Sequence, residues 1–137
     1  MSPEAAREEL SRRADAIEGG YEMMLAYAAQ GLATDQGAAN SSQLRDHLTR
    51  FEAALTGLAQ AYRDCAMALG VGPKDALDGF LKTLEADAAT TQAALRLVLG
   101  QPGISSQMID NINASIHVRA LLTDVFIVDE IIKNSRA

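Results

Sequence analysis

Apolar residues recur at steps of three and four along almost the whole chain, the spacing that gathers them on one side of an α-helix. In the first segment Leu10, Ala14, Ile17, Tyr21, Met24, Leu25 and Ala28 follow this rule. Ser2 before Pro3 supplies an N-cap and a first helical position, and Gly31 a stop. Leu32 to Ala39 lose the period and carry the turn formers Thr34, Asp35 and Gly37. A second helix then opens with Asn40 and Gln43 as a capping pair, or with Ser41 in that role. Its stripe is the most regular in the chain: Leu44, Leu48, Phe51, Leu55, Leu58, Tyr62, Cys65 and Leu69. Gly70 to Pro73 separate it from a third helix that turns Leu77, Phe80, Leu81, Leu84, Ala88, Leu95, Val98 and Leu99 inward. Beyond Gly100 to Gly103, Ser105 or Ser106 opens a fourth segment with no proline or glycine inside it.

The pattern predicts an all-α protein with helices over about 3–30, 41–69, 74–99 and 105–135. Four such helices joined by short turns bury their stripes most simply as an antiparallel up-down four-helix bundle, with residues 1–137 as a single domain. The β-branched run Val125 to Val128 competes as a strand, but no other segment offers it a partner, so helix is expected there. Helices two and four begin alike, with Ser-Ser-Gln at 41–43 and at 105–107, a likeness that shared capping chemistry accounts for.

Composition narrows the function more than it names it. With 137 residues, 48% hydrophobic and 22% charged, the chain is too apolar to be disordered. The net charge of -6 opposes nucleic-acid binding, because the nearest basic group, Arg7, Arg12 and Arg13, is interleaved with Glu4, Glu8, Glu9 and Asp15. The single cysteine, Cys65, allows no intrachain disulfide. The N-terminal residues lack the pattern of a secretory leader, and the longest apolar run, Met23 to Ala29, is far short of a membrane span. The expectation is an acidic, cytoplasmic protein that binds neither nucleic acid nor membrane.

The fourth segment departs from a plain bundle. Val118, Leu121, Leu122, Val125, Phe126, Ile127, Val128, Ile131 and Ile132 cover most of its circumference, and seven of the eight isoleucines follow residue 103. A helix apolar all round needs cover on its outer side. A second copy of the chain, in a homodimer, is the expected cover, with Val118, Phe126 and Ile127 at the interface; a more deeply embedded helix in a monomer is the simpler alternative. In helix one, Gly19 and Gly20 together cost about 2 kcal/mol relative to alanine. Gly20, Met23 and Tyr27 therefore form a second candidate docking surface, or a close approach flanked by ordinary boundary residues.

Candidate chemistry centres on the polar residues of the fourth segment. Asp110, Asn113, His117 and Asp124 fall along one side of it. His117 could anchor a metal, haem or small apolar ligand, with Asp110 and Asp124 beside it and Met24, Tyr21 and Tyr62 lining a cavity; a histidine simply paired with a carboxylate is the plainer reading. His47 reads as surface. Neither histidine follows a glutamate by three residues, which argues against a di-iron carboxylate site, and Cys-x-x-Cys-His is absent. Non-covalent haem held by methionine and histidine stays open, although no cofactor is required. No phosphate-binding glycine motif is present, and Cys65 lies on a core stripe, where burial raises a thiol pKa. The sequence thus leans towards a non-enzymatic protein that self-associates and serves a protein partner as an accessory or regulatory subunit. The alternative is a bundle holding a ligand near His117.

Overall fold

The computed structural model describes residues 2–135, and every regular element among them is helical. In chain order these are α1 (Pro3–Ala29), α2 (Ser41–Leu55), α3 (Leu58–Leu69), α4 (Lys74–Leu99), α5 (Ser106–Ala114) and α6 (Ile116–Asn134). The expected first and third helices, α1 and α4, run unbroken. The second and fourth are each divided, so the count of four becomes six.

The first division falls at Thr56 and Gly57. Thr56 turns extended, with ψ 118°, and Gly57 enters the left-handed region at φ 74°, a conformation that glycine takes at little strain. This leaves carbonyls at the end of α2 without helical partners. Arg13 of α1 donates Nη1 to the carbonyls of Ala54, at 2.8 Å, and Thr56. From the other side, Gln92 of α4 donates to the Glu52 carbonyl at 3.0 Å and to the Thr56 hydroxyl at 2.7 Å. The break is therefore held by two neighbouring helices, while its apolar stripe stays in register across it.

The second division is at Ser115, whose backbone is extended at ψ 142° and whose hydroxyl accepts from the Val118 amide at 3.4 Å. A serine able to cap ends one helix and starts the next without help from glycine or proline. Val125 to Val128 are helical, as expected. The two similar starts also diverge: Ser105 caps α5 by accepting from the Met108 amide, whereas neither Asn40 nor Ser41 caps α2. Ser41 instead donates its hydroxyl to Asp35 at 2.8 Å.

Buried side chains from all six helices join one connected core. Helix α1 packs on α2, α3 and α5, and α4 packs on α2, α3 and α6, so the two long helices each contact both divided pairs. At one end the loops clasp each other. The Asp35 carboxylate is 1% exposed and accepts from Arg45 Nε at 2.7 Å, from Ser41, and from the Ile104 amide at 2.8 Å. The Arg45 hydrogen bond holds the Asp35 carboxyl well below the usual carboxylate range despite burial. Arg45 also donates to the Leu99 and Gln101 carbonyls, and the Tyr27 hydroxyl donates to that of Ile104. Ser106 completes the clasp, donating to the Tyr27 carbonyl at 2.7 Å and accepting from the Leu32 amide at 2.9 Å.

Candidate interaction surface

The outer side of α6 carries Phe126, Ile127 and Ile131, which are 60%, 43% and 43% exposed. Beside them lies a cleft of about 250 Å³ between the α3–α4 turn, α4 and α6. Val71, Pro73, Leu77 and Phe80 form one wall and Ile127 and Ile131 the other. Among the described residues no charged side chain lines it. Val118 does not belong to this face: it is fully buried against the core, because its position on α6 lies opposite Ile127 at 100° per residue.

The second candidate surface is internal. A β-carbon on Gly20 would come within 2.7 Å of Phe51 Cβ and Cδ2, so the glycine marks the close approach of α1 and α2. Tyr27 is completely buried, its hydroxyl taken by Ile104, and Met23 is partly buried against the core. Of the two readings of Gly20 and its neighbours, the close approach is the one the structure has.

The proposed ligand set does not gather around His117, which is exposed, as is Asp110. Met24 is fully buried in the core and Tyr21 partly so. Tyr62, 2% exposed, donates its hydroxyl to Asp129 Oδ1 at 2.7 Å, and burial, reinforced by that carboxylate, raises its pKa. Asp129 is itself raised by burial, with the Tyr62 hydrogen bond acting against the shift. Among the described residues no group of three His, Cys, Asp or Glu is placed to hold a metal ion.

Asp124 is a second member of that set in an unusual environment. It is 7% exposed, and its Oδ2 has no hydrogen-bond partner among the described residues. Burial is the main cause of a strongly raised pKa, and Asp87 of α4 adds to it through a carboxyl–carboxylate hydrogen bond and like charge. The helical period puts Asp124 on a polar side of its helix but carries no sign of Asp87, 37 positions away. Asn113 also leaves both polar atoms of its side-chain amide buried without partners among the described residues.

No family model, curated protein or solved structure matches the chain. Its function therefore has to be argued from the surface itself. No helix among the described residues is long and apolar enough to cross a membrane. Cys65 is completely buried, and that burial raises its thiol pKa, so it is poorly suited to act as a nucleophile. The Arg45–Asp35 clasp has no signature in the sequence, where Asp35 reads as a turn former; an aspartate in a loop gives no local sign that it will be buried.

Proposed function

We infer that the chain is a non-enzymatic helical protein, four antiparallel rods with two of them bent, that self-associates through the outer face of α6. The observation that carries this reading is the placement of exposed Phe126, Ile127 and Ile131 beside an uncharged cleft. A twofold interface needs one patch that both projects and receives, and this face has projecting side chains next to a hollow. In this reading the dimer is an accessory or regulatory subunit for a protein partner, held on the faces left uncovered. A ligand bundle centred on His117 has less support, since that imidazole points to no enclosed site.

The test is the solution mass by multi-angle light scattering, with Phe126→Glu and Ile127→Glu as the variants. Both positions are exposed in the single chain, so the fold should survive, which circular dichroism checks. The expected result is twice the chain mass for the unmodified protein and a single-chain mass for the variants. A single-chain mass throughout, at concentrations up to the order of 100 μM, refutes self-association, given the micromolar affinities open to interfaces of ordinary size.

A further inference from the structure

Next to the α6 cleft, α3 and α4 flank a groove of about 470 Å³, within the range of roughly 300 to 1,000 Å³ usual for small-molecule sites. Val71 and Leu77 supply apolar lining, and Met67 stands at its lip, 77% exposed. The polar lining is Gln60, Arg63, Lys74, Asp78 and Lys82, three cations against one carboxylate. This is unexpected in a chain of net charge -6 whose only lysines are Lys74, Lys82 and Lys133.

Arg63 is already partnered, 4.0 Å from Asp78 and 3.7 Å from Glu85. Lys74 and Lys82 are not: among the described residues neither has a carboxylate within 4.0 Å. Lys74 also opens α4, where a positive charge opposes the helix dipole, so helix stability does not account for its place. Two unpartnered ammonium groups around an apolar hollow complement a ligand with an anionic head and an apolar body. A plain metabolite phosphate would leave Val71, Leu77 and Met67 unused, and a neutral apolar molecule would leave both lysines unused.

We propose that the α3–α4 groove binds a free single-chain fatty carboxylate of medium length, with its tail on Val71, Leu77 and Met67 and its carboxylate at the Lys74 and Lys82 rim. This site is independent of self-association through α6. The groove shares Val71 and Leu77 with the α6 cleft, but Arg63, Lys74 and Lys82 line the groove alone.

The experiment is titration with decanoate, octanoate and hexanoate below micelle formation, followed by calorimetry and by methyl NMR. Affinity should fall about threefold to fourfold for each methylene removed. The Met67 methyl should shift while that of Ile127 does not. The double variant Lys74→Ala, Lys82→Ala should bind decanoate at least tenfold more weakly, and decyltrimethylammonium should not compete. Met67→Ala, another exposed position, should weaken decanoate without altering the helical signal.

The proposal is overturned by equal binding of decanoate to the lysine double variant, by shifts confined to Ile127, by equal binding of the cationic amphiphile, or by no binding at millimolar ligand. It is also overturned if an acidic amphipathic peptide occupies the same groove more tightly than any of the carboxylates. That result would make the groove a site for a protein partner.

Discussion

Replacing Asp124 by asparagine tests whether the α4–α6 seam carries a buried acid. Burial, with Asp87 alongside, pushes the Asp124 carboxyl up to about 7 from its ordinary 3.8. Between those values the folded chain holds a proton that the unfolded chain has released, so stability declines as pH rises through the window. At about 1.4 kcal/mol per pH unit, the difference reaches about 4 kcal/mol above neutrality, as an upper bound. Asp124→Asn presents an uncharged group of the same shape at every pH. It should stabilise the fold by about 1 to 4 kcal/mol near pH 8.5 and change it little near pH 4. The assay is urea denaturation followed by circular dichroism at both pH values, with protein concentration held fixed because association would otherwise enter the result. Asp87→Asn separates the causes: since burial is the larger one, most of the pH dependence should persist in that variant. Equal effects of Asp124→Asn at the two pH values would refute the reasoning.

Gly20→Ala sets helix propensity against packing. Alanine gains up to about 1 kcal/mol of propensity, but its methyl meets the Phe51 ring, and the net result should be a loss of about 1 to 3 kcal/mol in the same denaturation assay. A stabilised variant would show that α1 and α2 can separate freely. Asp35→Asn removes the charge and one of the two oxygens that accept from Arg45, Ser41 and Ile104, and should destabilise by about 3 kcal/mol at neutral pH. Because Arg45 lowers the Asp35 pKa, the stability this carboxylate brings is present above its ordinary range, near pH 4, and is lost as pH falls below it. Thermal unfolding from pH 6 down to about pH 2 should therefore show a smaller acid-induced decline in the variant than in the unmodified chain.

The helical period identified the class of fold and most of the large core side chains, because burial on one face leaves a mark every third or fourth residue, although Leu25, on the same stripe, is exposed and Ile104, Ile109 and Ile112 are buried without having been assigned to it. Leu44, Leu48, Phe51, Leu58 and Tyr62 were legible in this way even across the break at Gly57. The break itself was not, since α2 and α3 keep a common stripe and Arg13 and Gln92, which stabilise it, come from 43 and 36 positions away from Thr56. Ser115 was missed for a different reason: a capping serine inside an apolar run resembles an ordinary surface residue. Phe126 and Ile127 were legible as excess apolar residues because their helix has more of them than one face can bury. Val118 and Tyr27 were misassigned because the width of a buried face depends on how many helices surround it, which periodicity does not report. The groove cations Lys74 and Lys82 gave no signal, being separated in sequence from Arg63 and from each other.

The loop clasp makes the two ends of the molecule unequal in rigidity. In the clasp around Asp35, hydrogen bonds tie together α2, both long loops and the start of α5, so amides there should exchange with solvent only when much of the fold opens. At the opposite end, the turn between α3 and α4 is held by helix-end backbone bonds such as Val71 to Ala66, and its residues 72–76 are exposed. Local opening there disturbs none of the clasp. The α6 cleft and the lysine-rimmed groove both border this looser turn, so either can adjust its shape to an occupant while the far end keeps the helices in register.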